Sequence, residues 1–536
     1  MGVCLSGNPM LASDHIFHIG TSGVTARRVT LTLLLLVSLA VLPPLFATTI
    51  PPLHDYPFHL ARMDAIAALT GEINHPTHYQ LGSFLLPNVA MDVATLGLTA
   101  IVSPMVAGRV FLGVVLLTML TGTVALHRAI HDRWSPWPLV AAFFLYNWIF
   151  LFGFMNYLFG VGIMLWSLAA WLALRRANVV IRLAAGTMLA VITLFCHLVA
   201  FGLFGVVLGG LALSDAFTYW RATRRLAIGT LLIPAVPIGI TLALFVILSP
   251  TAGEVRQPFV YADWYGWKPL VAYRTLLWSI PWLNVVTIVP IVLLVAIAAW
   301  RRRFRVSKMM LAPIGFLIVT FFVMPNNLFG GQYADARLPI AILLIVLASV
   351  DLVWVPSRVF IAVAALAIVL LVVRGAAITK QWRDEAPLIA GYQAAFKLLP
   401  AGATLYVASV EPFPKIAYDS PVEFARWHPP LKHLVSLASI GKDVFVPSTW
   451  ADPHQQPISV EPGGVRAKKL QGDNPFLTPT AEILAEDADK VRAIREPGTQ
   501  SNDFMLLLRP ESLKGLPASG LTPIAHGNSF ALFRIE

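Results

Sequence analysis

Long apolar runs separated by short polar breaks dominate the first two thirds of the chain, and several runs approach the ~20 residues a membrane-spanning helix needs. Read from the first run onward, the pattern predicts eleven spans. They lie at about 29–48, 105–126, 136–152 and 155–174, then as two short helices within 183–213 that meet at His197, and then at 226–249, 284–300, 309–324, 338–355 and 357–373. The final 160 or so residues have a different texture. Residues 381–399 read as an amphipathic helix, ended by Pro400-Ala401-Gly402. Strand-like Thr404–Ser409, Asp443–Val446, Phe504–Arg509 and Phe530–Ile535 alternate with helical stretches around 421–439 and 480–495, the second with Thr480 placed to cap it. The expected fold class is therefore a polytopic α-helical membrane protein of about eleven transmembrane helices with a C-terminal α/β domain. Its expected division is 1–28, 29–373 with a first outer loop at 49–104, and 374–536.

Charge orients this pattern. Residues 1–373 hold 22 Lys and Arg against 11 Asp and Glu, whereas residues 374–536 hold 17 of each. The net charge of +11 thus belongs to the apolar part. Its basic residues gather at every second break: Arg27–Arg28, Arg128 with Arg133, Arg175–Arg176 with Arg182, Arg221 with Arg224–Arg225, Arg301–Arg303 with Arg305 and Lys308, and Arg358. Cytoplasmic loops of membrane proteins carry such an excess, so topology explains the basicity and nucleic acid is not expected as a partner. The N-terminus is expected in the cytoplasm, with Arg27–Arg28 opening an uncleaved signal anchor. The C-terminal domain is expected outside the cell (inner) membrane, in the periplasm or its equivalent.

Composition excludes other classes. Of 536 residues, 57% are hydrophobic and 12% charged, about half the charge of a soluble domain. Two cysteines, Cys4 and Cys196, make neither a disulfide scaffold nor a Cys-rich zinc site. Between residues 30 and 373 there are ten carboxylates, none near the middle of a predicted span. Ion-coupled transporters usually place ionisable groups at the midplane, so this distribution points to work at the outer face.

The first outer loop holds the densest candidate site, His54-Asp55-Tyr56-Pro57-Phe58-His59-Leu60-Ala61-Arg62. Pro57 suits the first turn of a helix, which places Asp55 at its start and Asp55, His59 and Arg62 on one face. Phe58, Ala61, Ala65 and Leu69 make an apolar face suited to the membrane interface. Asp55 there could act as a general base on a hydroxyl, or simply cap the helix. Asp92 is a second candidate catalytic carboxylate or another cap. Candidate substrate-binding residues are His54, His59, Arg62, Asn156 in the Gly153–Tyr157 turn, His197, Lys268 and Arg274 in outer loop 250–283, and Asp335 with Arg337. That loop also carries Arg256, Asp263, Trp264, Tyr265 and Trp267, which read as an interfacial belt. His54, His59, Asp55 and Asp92 are ligand-type residues without a metal spacing, so no metal site is assigned. A divalent cation is not indicated.

The layout, with His54-Asp55-Tyr56-Pro57 in a long first outer loop and Asp335-x-Arg337 opening a later span, resembles the GT-C superfamily of glycosyltransferases. The resemblance implies transfer of a sugar, usually with inversion, from a polyprenyl-phosphate or pyrophosphate carrier to a saccharide, lipid or protein acceptor. Asp55 would then be the base, and Arg337, or Arg274 and Lys268, would stabilise the departing lipid phosphate. The loop has no Asp-Asp, Asp-Glu or Asp-x-Asp pair, which leaves metal dependence open. The alternatives are a transporter or flippase of lipid-linked saccharide and a non-catalytic scaffold.

Overall fold

The computed structural model describes residues 23–225, 228–253, 259–261, 268–328, 331–352, 358–411, 432–495, 502–513 and 520–536. In chain order its helices begin with α1 (Gly23–Val41), α2 (Tyr56–Leu69), α3 (Ala90–Thr95), α4 (Pro104–His131), α5 (Trp148–Phe152), α6 (Met155–Ala173) and α7 (Val179–Cys196). They continue as α8 (Leu198–Thr223), α9 (Ile228–Leu248), α10 (Lys268–Thr275), α11 (Pro281–Trp300), α12 (Leu311–Val323), α13 (Ala334–Ser349) and α14 (Arg358–Phe396). Among the described residues, eight helical segments are long and apolar enough to cross a membrane: Val24–Phe46, Pro104–His131, Met155–Arg176, α7, α8, α9, α11 and α14. Their outer faces leave Ile247, Val292 and Val359 more than half exposed, a surface that suits lipid and would promote aggregation in water.

The remaining predicted spans are shorter or irregular. Residues 136–152 form a 3-10 helix, Trp137–Phe144, and then α5. Pro138 sits in the first turn of that 3-10 helix, where its missing N–H is tolerated, and the Asn147 side chain accepts from Phe150 N at 3.0 Å to start a new helix. Predicted span 309–324 becomes the 13-residue α12, and span 338–355 ends at Ser349, where the strand Val350–Leu352 pairs with Phe304–Val306. The two helices expected within 183–213 do meet at His197, but each extends beyond that range into a full-length span. Its ring makes the break, because His197 Nδ1 accepts from Val199 N and caps α8. Span 357–373 and the amphipathic helix 381–399 are one continuous 39-residue helix, α14.

The C-terminal sheet runs in the order Leu521–Gly527, Phe530–Ile535, Asp503–Leu508, Ala403–Ser409, Val444–Phe445, with Phe476–Leu477 also paired to Ala403–Ser409. Asp503–Leu508 and Ala403–Ser409 are parallel, and the hairpin Leu521–Ile535 adds antiparallel strands. Helix Ala481–Ala493 starts at Thr480, whose hydroxyl accepts from Ile483 N. Lys432–Ser439 is a 3-10 helix, and the rest of the stretch around 421–439 lies outside the described residues.

The first outer loop joins this domain. Its strand Tyr79–Leu81 pairs antiparallel with Ile458–Val460. Ala65, Ile66 and Tyr79 share one buried cluster with Tyr406, Phe445 and Val491. The apolar face of α2 expected on the membrane interface is therefore covered by protein: Phe58, Ala61 and Ala65 are buried, and Phe58 lies against His433.

Helices α4 and α6 meet through glycines. A Cβ on Gly162 would lie 2.7 Å from Thr118 Oγ1 and 2.9 Å from Met119 N, and one on Gly122 would lie 2.9 Å from Gly162 O. Small residues let membrane helices approach this closely. Replacing Gly162 with Leu should therefore destabilise the bundle by about 1–3 kcal/mol, read as a lower unfolding temperature in detergent. A Gly202→Leu control, where nothing lies within 4 Å of the added Cβ, should not.

Candidate active site

The backbone of the first outer loop is clamped onto the turn between α5 and α6. His54 N donates to Leu151 O at 3.1 Å and Asp55 N to Phe152 O at 3.0 Å. The approach requires glycine at 153, where φ is +96° and a Cβ would lie 2.7 Å from Asp55 N. Pro57 sits in the first turn of α2, as its missing N–H favours. Asp55 occupies the N-cap position, yet its side chain makes no capping hydrogen bond.

That carboxylate faces two imidazoles instead. Asp55 Oδ1 lies 3.6 Å from His54 Nε2 and 3.4 Å from His433 Nε2, with the Asp55 side chain 14% exposed. The His54 and His433 rings meet edge-on at 4.6 Å. The three ligand atoms all lie within 4.8 Å of one another. Tetrahedral coordination with bonds of about 2.1 Å puts neighbouring ligand atoms about 3.4 Å apart, so the two carboxylate–imidazole separations fit a divalent cation. Sequence spacing pointed to no such group. His433 comes from the C-terminal domain, and no linear signal connects it to His54.

Arg62 and Asp92 are partners of each other. Arg62 Nε and Nη2 donate to Asp92 Oδ1 and Oδ2 at 2.7 and 3.1 Å, Nη1 donates to Gln456, and Nη2 lies 3.0 Å from His59 Nδ1. Burial pushes the Asp92 carboxyl up, opposed by Arg62. Burial, reinforced by Arg62, holds His59 well below the usual imidazole range. The group ties α2, α3 and the C-terminal domain together, with both Asp92 oxygens held by Arg62. Asn156 does the same for the loop before α3: it accepts from Met91 N at 2.7 Å and donates to Asn88 O at 2.6 Å.

The second group of candidates divides in two. Lys268 Nζ donates to buried Asp335 Oδ2 at 2.6 Å and to half-buried Met324 O at 2.8 Å, locking α10 to α13. Asp335 also accepts from Ala336 N. Arg274 is buried beside Trp278 O, and burial lowers its guanidinium to about 10. Arg256, Asp263, Trp264, Tyr265 and Trp267 lie outside the described residues.

Arg337 turns to His197. Its Nη1 lies 2.9 Å from His197 Nε2, Nη2 donates to Gln332 O at 3.0 Å, and the guanidinium stacks over Phe154 at 4.2 Å. His197 Nδ1 accepts from Val199 N, so the proton of the neutral ring is on Nε2. Two N–H donors therefore converge, an arrangement that an anionic oxygen accepting from both would satisfy. Phe152, Phe154 and Tyr333 form an aromatic partition between this pair and the Asp55 group.

No protein-family model matches the chain, and no curated protein matches it. Among solved structures it is similar to the crystal structure of ArnT from Cupriavidus metallidurans bound to undecaprenyl phosphate, with 14% sequence identity and a TM-score of 0.46 over 94% of this chain and 97% of that one. At that distance the likeness carries no residue's role across.

Proposed function

We propose that this protein is an integral membrane glycosyltransferase that moves a sugar from a polyprenyl-phosphate-type lipid donor to an acceptor at the outer membrane interface, with Asp55 as base. The observation that supports it most directly is the setting of Asp55: a partly enclosed carboxylate, free of capping duty, between His54 and His433 where the first outer loop meets the C-terminal domain. The donor's phosphate rests at headgroup level and its sugar reaches toward this seam. The acceptor hydroxyl attacks the anomeric carbon, the bond from that carbon to the phosphate oxygen breaks, and the phosphate leaves with the electron pair. Asp55 takes the acceptor's proton. The convergent donors of Arg337 and His197 stabilise the charge growing on the phosphate. His433 and His54 orient Asp55, and the C-terminal domain roofs the acceptor side. A divalent cation bound by Asp55, His54 and His433 would supply further charge stabilisation there.

In lipid nanodiscs supplied with labelled polyprenyl-phosphate sugars and an envelope extract as the source of saccharide, lipid and protein acceptors, the wild-type protein should pass the label to an acceptor and release free polyprenyl phosphate. Asp55→Asn should abolish that turnover while the protein stays folded. Full turnover in the variant overturns the assignment, and movement of lipid without cleavage supports a flippase instead. Arg337→Gln removes charge-assisted hydrogen bonds worth about 1.5–3 kcal/mol, so the transfer rate should fall roughly 10–100-fold. Chelation should slow the wild type at least about tenfold and add nothing to the loss in His433→Ala; an unchanged wild-type rate leaves Asp55 acting without a cation.

A further inference from the structure

An apolar groove that the proposed reaction does not use lies toward the start of α14. That helix has 39 residues, so its first residue, Arg358, stands about 57 Å along the axis from Phe396, whose carbonyl accepts from Lys442 of the C-terminal domain. The groove holds about 90 Å³ between Leu33 and Val37 on α1, Phe143 of the 3-10 helix, and Ala364 and Ala367 on α14. The small side chains of Ala364 and Ala367 leave the gap. Trp137 also lines it, and its Nε1 is already spent on Leu347 O at 3.0 Å, so the walls present no side chain in need of a hydrogen bond. Arginines gather at its mouth. Arg27 and Arg28 lie one to two turns before Leu33, and Arg358 lies two residues before Phe360, another lining residue; all three are exposed. The Arg27 guanidinium lies 5.9 Å over the ring of Trp134, two residues before Pro136, which lines the groove too. The nearby carboxylates are engaged elsewhere, Asp132 by Arg128 and Asp351 by Arg133.

We infer that this groove binds one anionic phospholipid, with an acyl chain seated between α1 and α14 and its phosphate held by Arg27, Arg28 and Arg358. An apolar cavity of about 150 Å³ takes a whole benzene, so a partly open groove of this size takes a stretch of alkyl chain. Basic clusters between membrane helices attract anionic headgroups, and guanidinium groups hold phosphate oxygens by charge-assisted hydrogen bonds. A zwitterionic headgroup brings a cation of its own to the same arginines, which is why the lipid is anionic. Such a lipid would tie the start of α1 to the start of α14. The site is independent of the reaction assigned to Asp55.

Native mass spectrometry of the delipidated full chain in detergent, titrated with phosphatidylglycerol or phosphatidylcholine, tests this. One phosphatidylglycerol should bind at least about tenfold more tightly than phosphatidylcholine. Arg27→Gln combined with Arg358→Gln should weaken phosphatidylglycerol about tenfold and leave phosphatidylcholine unchanged. Ala364→Phe, which fills the groove, should weaken both lipids. The arginine variant alters exposed side chains only, so its readout stands even where Ala364→Phe fails to fold. Equal affinity for the two lipids, a preference that survives the arginine variant, or a folded Ala364→Phe protein that binds as the wild type does overturns the proposal. Stoichiometric displacement of phosphatidylglycerol by polyprenyl phosphate assigns the groove to the donor's chain and also overturns it.

Discussion

A buried charge must meet an opposite charge or a set of hydrogen bonds, and in a chain with 12% charged residues nearly every such meeting decides how two elements are joined. Arg62 is the clearest case. It satisfies Asp92 on α3, Gln456 in the C-terminal domain and His59 on its own helix. Lys268 and Asp335 join α10 to α13 in the same way. Arg374, buried on α14, donates to Tyr146 O and Thr287 Oγ1 and so fastens that helix to α11 and to the residues before α5. Breaking any of these by removing one partner leaves an uncompensated charge, which is far more costly than losing an exposed pair.

This constraint holds the first outer loop and the C-terminal domain as one piece. Asp64 accepts from Gly441 N, His78 lies 3.0 Å from Asp443, and a strand pair continues the contact. Asp55 and His433 are brought together by that joint, although each belongs to a different part of the chain. The C-terminal domain therefore contributes a side chain to the candidate site, beyond roofing it.

Most of the helical layout was legible in the residues, because hydropathy over about 20 positions reports burial in lipid directly. His197 was legible as a break between helices, and Thr480, Ala403–Ser409 and Phe530–Ile535 follow local capping and alternation rules. What failed was set by tertiary contact. The Asn147 side chain caps a new helix inside an apolar stretch that reads as one span. The apolar face of α2 looks the same whether lipid or protein covers it. In the site, the density of polar residues around Asp55 was visible, but partner choice was not. Arg62 turns to Asp92, Asp335 accepts from Lys268, and Arg337 turns to His197. His433 and Gln456 are far away in sequence, and no local pattern marks either one.

In the proposed reaction the seam at Asp55 receives the sugar while Arg337 and His197 receive the phosphate, across the partition of Phe152, Phe154 and Tyr333. The most direct measurement is an experimental structure in a lipid nanodisc with a non-transferable polyprenyl-phosphonate sugar. The phosphonate oxygens should lie within hydrogen-bond reach of Arg337 and His197, with the sugar extending past Phe154 to Asp55. A headgroup bound elsewhere, with Asp55 turned to bulk water, would contradict it.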